Sequence, residues 1–558
     1  MAEAITEMII PGTYIEVRAE GLIGVSGIAT GNVGIVGTAN RGPVGEVRVL
    51  SSFSEAKETF GSYDGWSGGS DNELTLVRAL QQVFNNGGST VYAVRVGAAA
   101  GVAEAGIELK DSTGTVATVN GVTPGSWANE ITVEVKAAPS PGFVEEETHT
   151  AGAGGAVTLT HAKVASSPQN ALKIVKAATG KSVRLALLPG IGTPPSGQVF
   201  VDTTNGNLTF PASPPSQTPA AGDTVVASYQ VEATSSRDIE IVYKNLKEGY
   251  RVVDAKDMVR DINSSSSLVR VTIATGADDR VPDQSAAALL TGGSDGEAAT
   301  KSDYKTGLDV LDAEPINIVV SAGQGFSNSA ADLQAHVETA ENNGRDRISV
   351  CGADKDDVAE VSGNAGAVSD DRLILVAPGI RAQDITLGVE VDLPPAYAAA
   401  AVAGVIASLA VQVSPTNKAL RVSGLTKDYS DGEVKKLLGN RVMVLQRKAG
   451  YRIVKGITTD DGPFRQVSVR RIVDYAKNGT RIGSNPYIGR LNNSRVRSAL
   501  KATLNGFLSD MVLNEALTSF TLDVSATREQ EIAGVAVVTM FLKPTFSIDY
   551  IKVIMNLS

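Results

Sequence analysis

The run from Thr539 to Leu557, TMFLKPTFSIDYIKVIMNL, constrains this 558-residue chain more than any other stretch. Domains ordinarily close on a frayed polar tail, whereas this run stays strand-rich and apolar almost to the last residue. Phe546, Ile548 and Tyr550 alternate with Ser547 and Asp549, so a period of two puts them on one face of a strand. After Tyr550 the phase slips by one, and Ile551, Val553, Met555 and Leu557 take the other parity. A one-residue slip turns side chains to the opposite face. Two arrangements satisfy the pattern. One is a bulged terminal strand inside its own sheet; the other is an arm that adds a strand to a neighbouring molecule.

The length allows three or four domain-sized units. A hydrophobic content of 42% with 20% charged residues describes an ordinary soluble globular protein. The net charge of −11 argues against a general nucleic-acid binder, which carries a basic balance. A single cysteine, Cys351, excludes an internal disulfide framework and a multi-cysteine zinc site, and RISVCGA reads as a buried strand end. The opening MAEAITEMIIPGTY lacks the basic start and apolar core of a signal peptide. The alanine-dominated run 396–413 is short for a membrane span and reads as a buried helix. A soluble, cytoplasmically made protein is expected.

Along the chain, Ile15 and Val17 alternate with Glu16 and Arg18 in a short strand signal. Val33, Ile35 and Val36 form an apolar strand, and Ser54 is placed to cap a short helix that ends at Gly61. Leu74, Val77, Leu80, Val83 and Phe84 carry helical spacing before the break at 85–88 and the strand Thr90–Val96. From 148 the composition shifts to Gly, Thr, Ser, Pro and Ala, with a Thr204-Asn205-Gly206 turn between alternating runs. Alternating strand and helix signals return from 234. Among them are a helix over 302–313 capped by Ser302, the strands 316–320, 347–351 and 373–376, and a helix over 329–343. Strands are expected over 441–445, 451–457 and 464–473, then a helix over 496–517 with Val496, Leu500, Leu504, Leu508 and Met511 on one face. Arg490, Arg495, Arg497 and Lys501 sit at or before its first turns, where cations oppose the helix dipole. A solvated basic face or docking on an acidic partner would account for them.

Catalytic signatures are weak. Two G-x-S-x-G matches, around Ser67 and Ser294, lack the strand-turn-helix setting of a nucleophile elbow, and the chain has three histidines, His149, His161 and His336. Gly180-Lys181-Ser182 lacks the first glycine of a phosphate loop. The pairs Asp278-Asp279, Asp356-Asp357, Asp370-Asp371 and Asp460-Asp461 lack calcium-loop spacing and read as turn caps. No catalytic, cofactor-binding or metal site is assigned, and the chain reads as an assembly component. A surface-layer or adhesin protein and a serine hydrolase are the distant alternatives.

Several segments in order resemble contractile phage tail sheath proteins: MIIPGTYIEVR, GIVGTANRGPVGEV, SSFSEAKETFG, ALQQVFNNGGSTVYAVRV, LTGGSDG at 290–296, LPPAYAAAAVAGVIASL, and the region from Asn440 with FRQVSVRRIVDYAKN. The family's Trp-x-x-Val-x-Val-Arg-Arg pattern stands here with Phe464 in place of the tryptophan, followed by Val467, Val469, Arg470 and Arg471. The resemblance implies a multidomain α+β protein with an α/β core. Its expected parts are an N-terminal arm (1–22), core (23–147), an inserted all-β surface domain (148–233), core again (234–435), a C-terminal α/β assembly domain (436–545) and a C-terminal arm (546–558). It implies hexameric rings stacked around a tail tube, contraction that drives the tube through an envelope, and strand exchange by the arms. Tyr14, Ile15, Val17, Phe546, Ile548, Tyr550, Ile551 and Val553 are the expected arm residues, and Arg490, Arg495, Arg497 and Lys501 the tube-facing ones. The implied partners are other copies of the chain, tube, baseplate and tail terminator, without nucleic acid or membrane insertion, in a virion tail assembled in the host cytoplasm. The sheath of a bacteriocin or another injection device fits the same residues.

Overall fold

The computed structural model describes residues 28–68, 74–98, 101–296 and 299–556. The strand expected around Ile15 and Val17, and Leu557, lie outside them. The chain forms two compact units, one from residues up to 98 together with those from 298 onward, the other from Ala99–Glu297.

The first unit is built on a nine-stranded sheet. Six parallel strands run in the order Thr90–Val96, Asn32–Thr38, Ile318–Ser321, Ile348–Gly352, Leu373–Ala377 and Met443–Arg447. Antiparallel strands flank them, Val47–Leu50 at one edge and Tyr451–Ile453 then Ala419–Leu420 at the other. Parallel strands are covered on both faces and so read as unbroken apolar runs; every residue of Ile318–Ser321 and Leu373–Ala377 is buried. Ile318 and Val320 face a core shared with the helices Leu76–Asn85 and Pro395–Ser408. Val319 faces the opposite core, under Lys301–Val310 and Phe326–Asn342. The alanine-rich stretch is the buried helix Pro395–Ser408, and among the described residues no helix is long and apolar enough to cross a membrane. Gly404 allows it to lie against Leu76–Asn85, since a Cβ there would meet the Val83 carbonyl oxygen at 2.3 Å. Cys351 is buried beside Ser329, and burial pushes its thiol up to about 12.

Four sequence expectations need correction. The helix Phe53–Phe60 is capped by Ser52, whose hydroxyl accepts from Glu55 N, rather than by Ser54. Thr300 in place of Ser302 caps Lys301–Val310, forming a reciprocal box with Asp303. The stretch 464–473 is the start of the helix Val467–Ser484 and not a strand. Its β-branched residues alternate with polar ones at first, but Ile472, Ala476, Gly479 and Gly483 are buried at helical spacing. The next helix ends at Leu513, and Leu517 already opens a strand.

Within the second unit, a six-stranded sheet from Gly142–Thr150 to Thr224–Val231 encloses its own apolar core. It contains the expected turn at 204–206, between the paired strands Gln198–Val201 and Leu208–Thr209. The compact unit is wider than 148–233. It also takes in a four-stranded and a three-stranded sheet around Trp127 and Ile241, so the insertion starts near Ala99 and ends near Glu297.

Candidate assembly interface

Two helices and a hairpin close the first unit. Asn493 caps Ser494–Leu513 by accepting from Val496 N at 3.0 Å, and Leu500, Leu504, Leu508 and Met511 form its buried face. Phe507 packs where Gly479 leaves room, for a Cβ at Gly479 would stand 2.0 Å from the ring. The strands Leu517–Ser525 and Val537–Pro544 pair antiparallel and set Phe520, Leu522 and Val524 opposite Leu542, Met540 and Val538. All six pack toward the helices. A two-stranded ribbon is marginal alone, so this packing supports it. Its outer edges pair with no further strand among the described residues, and Phe541 on its outer face is 72% exposed.

The segment 545–556 leaves the hairpin without entering a sheet formed by the described residues. Phe546, Ile548, Tyr550, Ile551 and Val553 are all exposed, from 62% to 81%. Ser547 and Asp549, of the other parity, turn inward. Asp549 Oδ2 accepts from Lys455 Nζ at 3.2 Å and Gln466 Nε2 at 3.3 Å, and Oδ1 accepts from Thr416 Oγ1 at 3.4 Å. The Ser547 amide donates to Gln466 Oε1 at 3.2 Å. The alternation read from the sequence therefore separates an outward apolar row from an inward polar one. Beyond Tyr550 both parities are exposed, with Ile554 and Met555 joining Ile551 and Val553. No sequence signal pointed to Lys455, Gln466 or Thr416, of which Gln466 lies 83 and Thr416 133 positions away from Asp549.

Tyr14, Ile15 and Val17 lie outside the described residues. The first described residues are held by side chains of the same unit. Asn317 Nδ2 donates to Ala29 O at 3.0 Å, and Arg471 Nη2 donates to Thr30 O at 3.0 Å and Leu409 O at 2.9 Å. Burial pushes the Arg471 guanidinium down to about 10. Its neighbour Arg470 serves different partners, donating to Asp371 and Asp474 at 2.7 Å each while lying over the Phe464 ring. The aromatic-Val-Val-Arg-Arg pattern is thus a packing and anchoring device.

The four basic residues are not one open patch. Arg497 is half-buried and donates to Glu531 Oε1 at 3.0 Å, and Lys501 pairs with Asp523 at 3.2 Å. Arg490 stacks on Tyr487, and Arg490 and Arg495 are exposed. Arg490 and Arg497 also line a groove with Tyr487, Leu491, Leu500 and Val538.

Of the three histidines, His149 pairs with Glu147, His161 with Asp254 and His336 with Arg347. Gly180-Lys181-Ser182 is the turn into the strand Ser182–Pro189. Asp357 caps the helix Val358–Gly366, and no group of three side chains among the described residues could hold a metal ion.

Residues 297–459 match the phage tail sheath protein central domain, and residues 459–558 match the phage tail sheath C-terminal domain. The chain carries the central and C-terminal domains of the phage tail sheath family. The two matches meet at residue 459. The tail sheath protein of Bacillus phage SP01 is 26% identical over 242 residues, 41% of this chain and 42% of that protein. The match thus spans less than half the length of that curated relative. The sheath fold extends further than the sequence likeness. The sheath tail protein Lin1278 of Listeria innocua aligns over 94% of this chain and 93% of its own, with a TM-score of 0.59 at 14% identity. That of Desulfitobacterium hafniense aligns over 96% and 100%, with a TM-score of 0.57 at 14% identity. The multidomain α+β architecture is that of sheath proteins. The helices, hairpin and exposed segment described above all fall in the sheath C-terminal domain.

Proposed function

We propose that this chain is the structural subunit of a contractile tail sheath, polymerising as stacked six-membered rings around a tail tube above a baseplate. The observation that carries this reading is the apolar row of Phe546, Ile548, Tyr550, Ile551 and Val553, held in solvent beside a hairpin whose two outer edges pair with no further strand among the described residues. Exposed apolar strands and free sheet edges are normally hidden, and strand addition between copies hides both. The two sheath domains support the same conclusion. Head-to-tail contacts of this kind close into rings or run on as helices.

In this mechanism no nucleotide, metal or catalytic residue is required. Subunits assemble extended along the tube; on release at the baseplate the rigid cores rotate and slide into a lower-energy packing, while the arms act as hinges that keep neighbours joined. The shortening sheath drives the tube through the target envelope. Arg490 and Arg495 are the cations open to a tube surface, whereas Arg497 and Lys501 are engaged within their own domain. The tail terminator closes the polymer, the finished sheath belongs to the virion tail, and assembly takes place in the host cytoplasm.

Electron microscopy of the purified chain tests the reading, with and without tube protein. Hollow ridged tubes of uniform width from the full chain, and folded monomers only from a chain lacking residues 546–558, support it. Polymers that form equally well without those residues would falsify the arm assignment.

A further inference from the structure

Asp549 faces the opposite way from the residues on either side of it. Its side chain is 10% exposed, whereas Ile548 is 79% exposed and Tyr550 81%. Its two oxygens are both engaged: Oδ2 by Lys455 and Gln466, Oδ1 by Thr416 and by Ser547 Oγ at 3.3 Å. Lys455, itself 16% exposed, also donates to Tyr550 Oη at 3.3 Å and lies 5.0 Å from the centre of that ring. Gln466 is the N-cap residue of Val467–Ser484, so the carboxylate lies beside a helix end that favours anions. All of these partners belong to the same chain and to the same compact unit as the segment itself.

We infer that Asp549 is a latch that fixes the C-terminal segment on its own core with Phe546, Ile548 and Tyr550 turned outward, ready for a second copy. This inference rests on the sheath reading above and adds to it a named positioning residue with its partners. Strand addition uses the backbone and one row of side chains; the latch occupies only the other row. Donor and acceptor can therefore meet without the latch opening. Ordering a free segment costs conformational entropy at the moment of association. A segment already held in register by Asp549 has met part of that cost, and assembly then begins at lower protein concentration. The latch is charge-assisted and lies near the surface, so salt weakens it.

The test compares the full chain with D549N and with the charge-swapped pair K455D/D549K. The D549N side chain keeps the shape of the carboxylate but presents an amide to the donors Lys455 and Gln466. Two readouts are taken on each protein: chymotrypsin cleavage after Tyr550 in the monomer, and the concentration at which polymers sediment with tube protein present. The latch predicts faster cleavage in D549N, a rise of about tenfold in the polymerising concentration, and a return toward wild type in the swapped pair. Added salt should raise the wild-type concentration more than that of D549N. Unchanged cleavage would show that no latch exists, and faster cleavage with an unchanged polymerising concentration would show that it plays no part in assembly. Equal polymerisation by the chain without residues 546–558 would instead remove the underlying sheath-arm reading, and the inference with it.

Discussion

Arg372 donates to both oxygens of Asp474, from Nη1 at 2.9 Å and from Nη2 at 3.0 Å. The first residue lies just before a central strand of the sheath central domain, and the second lies on the long helix of the C-terminal domain. Arg372 is also bonded to Glu341 and Asp346, and Lys477 and Arg481 reach across to Asp346. The Arg372 bond, with that of Lys477, holds the Glu341 carboxyl down at about 2 against the opposing effect of burial. Bidentate arginine–carboxylate geometry fixes orientation as well as distance, so this network sets how the C-terminal helix sits on the central sheet.

Removing Arg372 takes one buried cation from Asp346, which is 1% exposed, and from Asp474; Lys477 and Arg481 stay on the first and Arg470 on the second, but the buried oxygens that Arg372 met lose their donor. Breaking a buried pair from one side costs about 3–5 kcal/mol. R372A is expected to lose stability on that scale in equilibrium denaturation. R381A, at a pair whose side chains are about half exposed, is expected to lose only about 0–1 kcal/mol.

His336 predicts how the first unit responds to acid. Its Nε2 accepts from Arg347 Nη1 at 2.8 Å, and burial together with that guanidinium pushes the imidazole down to about 4 from an ordinary value near 6.5. The folded chain therefore holds His336 neutral where the unfolded chain would charge it. The contribution to stability is complete above pH 6.5 and is lost as pH falls from there toward 4, amounting to roughly 3 kcal/mol. H336Q keeps an acceptor for Arg347 without titrating. Denaturation at about pH 7 and about pH 4.5 should show a smaller acid loss in H336Q than in wild type.

Much of the layered fold was legible because its signals are local. Leu76–Asn85 and Thr90–Val96 follow from apolar spacing and the break between them. The misreading at 464–473 arose from the same habit: Val467 and Val469 alternate with Ser468 and Arg470, yet all four are buried in a helix. Arg470 and Arg471 can be inside because Asp371, Asp474 and backbone carbonyls meet them, and most of these partners are remote in sequence. The insertion showed itself only where composition changed, at 148–233, whereas the compact unit also takes in the flanking sheets. At the interface, the parity of 546–550 marked the two faces of the segment, while what the polar face touches depends on loops at 416, 455 and 466.

Two glycines in helices should respond in opposite directions to alanine. At Gly404 a Cβ meets the Val83 carbonyl, a backbone atom that cannot swing aside. Overpacking of this kind costs about 1–3 kcal/mol, more than the gain of about 1 kcal/mol in helix propensity. G404A should be less stable than wild type. Gly363 lies in Val358–Gly366, and a methyl group there would have nothing within 4 Å. G363A should gain about 0.5–1 kcal/mol, which thermal unfolding of the two variants will resolve.

Arg471 yields the last prediction, because it ties three parts of the chain with one side chain. Its guanidinium donates to Thr30, Leu409 and Ala410, two of them just past the alanine-rich helix and one just before the strand Asn32–Thr38. A lysine retains the charge but is a point donor on a flexible stem and cannot span three carbonyls as a planar fork does. R471K leaves part-buried carbonyls short of a donor, at a cost of about 1 kcal/mol. R495A, at an exposed position on the next helix, should stay within about 0.5 kcal/mol of wild type. Hydrogen exchange separates a local anchor from general instability. If Arg471 is such a local anchor, R471K accelerates exchange at the amides of residues 30–33 far more than at Leu373–Ala377 in the middle of the sheet. A uniform acceleration at both would mean that Arg471 serves the core as a whole and not the local anchoring of residues 30–33.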